Sequence, residues 1–394
     1  MPISRRNLLR AIGLGAAATA AIPSLAELSF GNSRTLGNFG ASATDLLNAG
    51  RAGSVPPSAP IILSRNENSY GPSEKVLAAM REALHMANRY PDDDENALAN
   101  KIAALHGVKR EQVVLGCGSG EILRMSAEAF LGSGKTLIVA LPTFEALGHH
   151  AQRMGAEVVA VPVSKNWSHD LDAMLARSDA PTGLVYICNP NNPTGSLTPR
   201  RDLETFIKKL PANTHVLIDE AYHHFVGGTP DYVSFIDRPI DDKRIIVART
   251  FSKIYGMAGM RVGYAIAAQP TALALGEHRL ANSVNIVAAK AAGIALDDME
   301  HVRMSTKRNA SDRQEFFQQA SARKVPAIDS QANFVMLNAG RPTTEVIEHF
   351  RKNGILVARR FPPLDTCVRV SLGMPPEMTE FWKVWDMMPE KMTT

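Results

Sequence analysis

At 394 residues, with 45% apolar and 21% charged side chains, the chain can bury one or two full cores, which excludes a disordered or coiled-coil chain. Its net charge of +4 falls to about +1 once Arg5, Arg6 and Arg10 are set aside, so the body lacks the clustered Lys and Arg that a nucleic-acid surface needs. Three widely spaced cysteines, Cys117, Cys188 and Cys367, make neither a disulfide framework nor a zinc spacing.

The chain opens on Ser4-Arg5-Arg6-Asn7-Leu8-Leu9-Arg10 and an uncharged, alanine-rich run from Ala11 to Ala26. Paired arginines before such a run read as a twin-arginine export signal over residues 1–26, with cleavage near Ala26 and a periplasmic destination. The run is too short and too weakly apolar for a stable membrane span. Residues 27–60 are rich in Gly, Ser, Asn, Ala and Pro without periodicity and read as a linker.

From Ile61 onward, short β-branched runs alternate with longer amphipathic stretches. Strands are expected at Val113 to Leu115, Thr136 to Ala140, Val158 to Val161, Leu184 to Cys188, His215 to Ile218 and Arg244 to Val247. Helices are expected at Ser73 to Asn88, Asn96 to Leu105, Glu121 to Leu131 and Thr198 to Lys209. Such alternation predicts an α/β fold, a largely parallel sheet between two layers of helices. Beyond about Ala292 come a long polar helix, Met299 to Ala322, and three short strands at Phe334, Ile355 and Cys367. That texture predicts a smaller α+β domain over 293–394, joined by the N-terminal segment 61–90, with the large domain at 91–292.

Chemistry concentrates at the ends of the expected strands. Arg249-Thr250-Phe251-Ser252-Lys253 carries a lysine just beyond a buried strand, with Arg261 eight residues on and glycines between. That pattern suits an imine-forming lysine, Lys253, beside a phosphate gripped by Ser252 and Arg261. Asp219 ends the strand His215 to Ile218, where open α/β sheets place their ligands, and can keep a pyridine nitrogen protonated. Tyr222 and Asn192, the latter from Asn189-Pro190-Asn191-Asn192-Pro193-Thr194-Gly195, are candidate donors to a phenolic ring oxygen. Alone, Asn192 would be an ordinary turn residue. Gly116-Cys117-Gly118-Ser119-Gly120-Glu121 joins a strand to a helix and offers free N–H groups to a phosphate. Phe144, just past the next strand, is a candidate stacking ring or a core residue.

Together these residues resemble the fold-type I, pyridoxal-phosphate-dependent aminotransferases of class I/II, and within them the histidinol-phosphate aminotransferase-like branch. The likeness runs from about Ile61 to Gly373 with its pieces in order: Asn66-Glu67-Asn68-Ser69-Tyr70-Gly71-Pro72, Tyr90-Pro91-Asp92, the Gly116 loop, Pro142-Thr143-Phe144, Cys188 to Gly195, Asp219 to Tyr222, the Lys253 segment, Asn333-Phe334 and Val368-Arg369-Val370. It implies a large domain with a seven-stranded-type sheet plus a smaller α+β domain. It further implies that Lys253 carries pyridoxal 5'-phosphate as an imine and that Asp219 pairs with the pyridinium. Asn192 and Tyr222 would hold the ring oxygen and Phe144 would stack on the ring. Gly118, Ser119, Gly120, Ser252 and Arg261 would bind the phosphate, with Tyr90 reaching it from the other subunit of a homodimer. Tyr70, Asn192, Arg360 and Arg369 are the implied substrate contacts, Arg369 receiving a carboxylate in a two-pronged salt bridge.

The chain departs from that family in places. Gly120 stands where an aspartate is common, and His223-His224 follows Tyr222 where an acidic residue is common; both histidines are candidate pocket residues or packed ones. The loop Arg359-Arg360-Phe361-Pro362-Pro363-Leu364-Asp365 is short and proline-rich where a loop arginine of the histidinol-phosphate enzymes binds the substrate phosphate, which leaves Arg359 and Arg360 both open. Gly132-Ser133-Gly134-Lys135-Thr136 imitates a nucleotide loop but precedes its strand. His149-His150 has no ligand partner at metal spacing. Two other readings stand beside transamination: decarboxylation, elimination or cyclisation on the same scaffold, and a non-catalytic cofactor binder, which would be expected to lose Lys253 or Asp219.

Overall fold

The computed structural model describes residues 60–179 and 181–389; the expected export signal and the linker up to residue 59 lie outside the described residues. The described chain enters through β1 (Ile61–Leu63) and α1 (Glu74–Ala83). Ser73 caps α1 by accepting a hydrogen bond from the Val76 N–H, and the expected longer helix ends instead in a 3-10 turn at Leu84–Met86.

After α2 (Asp92–His106) the central sheet begins. Its strands are β2 (Val113–Cys117), β3 (Thr136–Leu141), β4 (Glu157–Pro162), β5 (Thr182–Cys188), β6 (His215–Asp219), β7 (Ile245–Thr250) and β8 (Val262–Ala267). They lie side by side in the order β2-β8-β7-β6-β5-β3-β4. Strands β3 to β7 pair in parallel and β8 runs antiparallel to both neighbours. Strands β5 to β8 are buried almost throughout, which is why they read as continuous apolar runs. The expected sheet is therefore present with one strand more than the sequence reading placed, β8, whose Val-Gly-Tyr-Ala-Ile-Ala run hides inside the lysine segment.

Two apolar layers sandwich the sheet. On one face Leu98 and Ile102 of α2 and Leu203 and Phe206 of α6 (Arg200–Lys209) join Val216, Ile218 and Val247, while α1 contributes Val76 and packs on α8 (Ile286–Asp297). The other face is covered by α3 (Ser119–Phe130), α4 (Ala146–Arg153) and α7 (Gln269–Gly276), through Ile122, Leu147 and Leu275. The short α5 (Leu171–Leu175) adds Met174 to the first face.

The C-terminal part contains α9 (Met299–Ala322), β9 (Phe334–Asn338), α10 (Thr343–Lys352), β10 (Ile355–Val357), β11 (Cys367–Ser371) and α11 (Pro375–Asp386). Strand β1 pairs in parallel with β10, and β9 is antiparallel to β11. Phe316, Phe350, Phe381, Trp382 and Trp385 fill the core beside them. Among the described residues no helix is long and apolar enough to cross a membrane.

A buried polar network fastens β6 to β7 just behind the chemistry-bearing loops. The Arg249 Nε donates to Glu220 Oε2 at 2.8 Å, and Arg249 Nη2 donates to Ser234 Oγ, which itself donates to Glu220. The His223-His224 pair belongs to this packed interior: His223 Nδ1 lies 3.0 Å from the Tyr232 hydroxyl, and the His224 ring meets Tyr255 edge-on. Burial, reinforced by Arg249, pushes His223 down to about 2 and His224 well below the usual histidine range, so both are neutral. Removing one member of a fully buried ion pair strands the other, at a cost of about 3–5 kcal/mol. Glu220→Gln is therefore expected to lower the unfolding free energy extrapolated from urea titration by that order; an unchanged value would contradict the network.

Candidate active site

The carboxyl ends of three adjacent parallel strands deliver the functional side chains to one place. Asp219 is the last residue of β6; its carboxylate accepts hydrogen bonds from the Tyr186 hydroxyl at 2.9 Å and the Ala221 N–H at 3.0 Å. Burial raises its pKa, and among the described residues no cation forms an ion pair with it. Lys253 follows β7 in a tight loop in which Gly256, at a φ of +69°, lies so close to the Gly71-Pro72 backbone that a Cβ would collide.

Among the described residues no carboxylate forms an ion pair with the Lys253 amine. Its Nζ donates to the carbonyl oxygens of Asn66 at 2.9 Å and Arg65 at 3.2 Å and lies 5.6 Å from the centre of the Tyr222 ring. Loss of hydration, with Arg369 and Arg261 nearby, brings it down to about 8. An amine so placed alternates readily between its charged and nucleophilic forms. The Tyr222 hydroxyl accepts from Asn66 Nδ2 at 2.9 Å, and burial raises its pKa.

Arg369 sits mid-strand in β11, buried, between the rings of Phe334 and Phe361 at 5.3 and 4.8 Å. Its Nη1 donates to Asn192 Oδ1 at 2.5 Å and its Nη2 to the Ser64 carbonyl at 2.7 Å. The Nε is buried without a partner, and among the described residues no carboxylate pairs with this guanidinium. Burial lowers it to about 10, so it stays charged at neutral pH.

An anion cradle adjoins these groups. Gly118, at a φ of +74°, turns the chain from β2 into α3, and no side chain caps that helix. The Glu121 N–H turns back to the Gly118 carbonyl, and the Ser119 and Gly120 N–H groups ahead of it are placed as at many phosphate sites. Arg261, in the left-handed region at a φ of +60°, reaches Ser252 Oγ at 3.3 Å and the Ala258 carbonyl at 2.9 Å. A Cβ at Gly118 would strike the Arg261 guanidinium, and one at Gly263 would strike the Ser119 N–H. Space is open beside Gly120, where the sequence lacks an aspartate.

The remaining expected residues divide. Phe144 is 40% exposed on a loop tied to the Asn192 loop by a Thr143–Asn191 hydrogen bond at 2.8 Å. Tyr90 is 84% exposed. Tyr70 is not brought to Lys253 or Arg369 by any direct contact; its hydroxyl donates to Asp312 on α9 at 3.1 Å. Arg360 pairs with Asp365 inside its own loop, whereas Arg359 pairs with Glu145 and lies 4.5 Å from the Phe361 ring. Arg359 is the one beside the site. The sequence reading gave no role to Asn66, Asn333 or Ser371, although Asn333 Nδ2 donates to the Asn66 and Glu67 carbonyls and Ser371 meets both the backbone and side chain of Asn66.

Comparison with known proteins agrees with this geometry. The family model for aminotransferase class I and II matches residues 59–381. The chain is 36% identical over 326 residues to a histidinol-phosphate aminotransferase of Caldicellulosiruptor saccharolyticus, covering 82% of this chain and 90% of that one. It is 37% identical over 326 residues to the enzyme of that name from Symbiobacterium thermophilum, covering 81% and 88%. The crystal structure of histidinol-phosphate aminotransferase from Sinorhizobium meliloti in complex with pyridoxal-5'-phosphate superposes with a TM-score of 0.79 at 26% identity, covering 91% of this chain and all of that one. The residues here fit that cofactor: a buried aspartate with no cation in ion-pair contact among the described residues, an anion cradle closed to side chains, and an amine near neutrality. The chain belongs to the class I and II aminotransferases and is a pyridoxal-phosphate-dependent transferase of amino groups.

Proposed function

We propose that the amino donor is an α-amino acid whose carboxylate docks on Arg369 and that the acceptor is a 2-oxo acid. The carrying observation is the buried Arg369 guanidinium with an unpartnered Nε and no carboxylate of its own. Burying a cation is costly unless an anion meets it, so a substrate carboxylate supplies what the fold withholds. The freely accessible alternative cations are already engaged, Arg359 by Glu145 and Arg360 by Asp365.

Pyridoxal phosphate, when bound, supplies an aldehyde that condenses with amines and a protonated pyridine ring that draws electrons from the substrate Cα. In this reading the Lys253 Nζ would hold the cofactor aldehyde and, once the substrate amine has displaced it from that bond, would be free to take the Cα proton, a task suited to an amine near neutrality. Asp219 holds the proton on the pyridine nitrogen, and its ionised form is favoured once that cation is beside it. Asn192 and Tyr222 orient the ring oxygen, and Phe144 covers one ring face. The first-turn N–H groups of α3 at Ser119 and Gly120, with Gly118 giving room, join Ser252 and Arg261 on the phosphate. Tyr90, projecting from the surface, completes the phosphate site of a second copy in a homodimer.

A second reading, histidinol phosphate as donor, has one specific observation in its favour. Arg359 and Arg369 both lie against the Phe361 ring, at 4.5 and 4.8 Å, which brings a second guanidinium to the neighbourhood of Arg369. A panel of amino acids and histidinol phosphate, scored by kcat/KM with wild type and Arg369→Leu, separates the two. The expected result is an α-amino acid preferred at least tenfold over histidinol phosphate and a loss of about a hundredfold for that amino acid in the variant, the order expected for a buried charge-assisted pair. The reverse preference establishes the second reading.

Residues 1–26 act in this proposal as a twin-arginine signal that delivers the folded, cofactor-loaded enzyme to the periplasm. Its support is Arg5-Arg6 followed by the alanine-rich run. Changing Arg5 and Arg6 to Lys is expected to retain the enzyme in the cytoplasmic fraction; undiminished periplasmic activity would contradict the export reading.

A further inference from the structure

We propose that Asn66 is a positioning residue whose side-chain amide holds the Tyr222 hydroxyl as a donor toward the cofactor's ring oxygen. The inference rests on the reading of Tyr222 given above and extends it to a residue with no previous role.

Asn66 is 1% exposed and adopts the left-handed conformation, at a φ of +56°. Asn enters that region more readily than most residues other than glycine. Every polar group of Asn66 is engaged. Its N–H donates to Ser371 Oγ at 2.8 Å, and its carbonyl accepts from Lys253 Nζ and from Asn333 Nδ2. Its Oδ1 accepts from Ser371 Oγ at 3.1 Å, and its Nδ2 donates to the Tyr222 hydroxyl at 2.9 Å.

Ser371 decides which end of the amide faces Tyr222. Because Ser371 Oγ already accepts from the Asn66 N–H, its own proton is free for the Asn66 side-chain oxygen, which turns the NH2 end toward the tyrosine. The tyrosine oxygen then receives a proton from one side and must direct its own elsewhere. A phenol that accepts one hydrogen bond becomes a better donor in the next, because the two polarise each other. Asn66 thus orients Tyr222 without touching the reacting atoms, and the same residue rests the Lys253 amine on its carbonyl.

A donor aimed at the ring oxygen stabilises negative charge there and so favours the deprotonated form of the bound cofactor. Weakening it raises the pH midpoint of the cofactor's visible absorbance change. The test uses holoenzyme carrying Asn66→Gly, which keeps the backbone conformation free of strain, and Asn66→Asp, which keeps the shape but presents acceptors in place of the NH2 donor. Each is made alone and with Tyr222→Phe. The expected result is a midpoint raised by about half to one pH unit in the Asn66 variants, the scale of one ordinary hydrogen bond, and no added shift in the Tyr222→Phe background. Equal shifts in both backgrounds, or none in either, would overturn the role of Asn66 while leaving Tyr222 in place. A Tyr222→Phe midpoint identical to wild type would remove the reading of Tyr222 and the inference with it.

Discussion

Three charged groups, the Lys253 amine, the Arg369 guanidinium and the Asp219 carboxylate, converge on the carboxyl edge of the sheet with no oppositely charged partner in ion-pair contact among the described residues. Just behind them the buried Arg249 and Glu220 are paired directly, while the buried Arg313 on α9 is held by the Phe225 and Ala332 carbonyls. Hydrogen bonds to carbonyls, hydroxyls and amides satisfy geometry but leave net charge uncompensated, which is costly in a dry setting. In the proposed reading, a pyridinium beside Asp219, a phosphate beside Arg261 and a substrate carboxylate on Arg369 would supply the opposite charges.

The scaffold makes that concentration of charge tolerable by fixing it from behind. Parallel strands β5 to β7 end side by side, and the Glu220–Arg249–Ser234 network ties β6 to β7 at the level of Asp219 and Lys253. Gly118, against the Arg261 guanidinium, and Gly256 and Gly263, against backbone, leave no room for a side chain where the anion cradle and the lysine loop are built. From the other side β1 and β11 supply Ser64 and Arg369, and Asn66 spans the gap between them and Tyr222. Reaction geometry thus depends on segments about 300 residues apart in sequence, the Asn66 and Ser371 pair being the clearest case.

Much of this was legible in the residues. The strands of the central sheet announce themselves because they are buried on both faces and therefore nearly all apolar, and Lys253, Asp219, Asn192 and Arg369 stand in recognisable local contexts. β8 was hidden because Val-Gly-Tyr-Ala-Ile-Ala mixes small and large residues without a period, and its antiparallel sense depends on a partner the local sequence does not name. Asn66 was legible as the first residue of the Asn66–Pro72 motif but not in its contacts, since its bonds to Tyr222 and Ser371 exist only in three dimensions. The same holds for Arg359 against Arg360, adjacent in sequence yet facing Glu145 and Asp365 respectively. The histidines, left open in the sequence between pocket and packing, lie against aromatic neighbours, His223 by the Tyr232 hydroxyl and His224 edge-on to Tyr255.

The account stands on one covalent attachment. Purified protein loaded with pyridoxal phosphate, reduced with borohydride and digested should yield a single cofactor-bearing peptide containing Lys253, with none recovered from Lys253→Arg. Attachment at another lysine, or cofactor released unreduced from the folded wild type, would contradict the central claim.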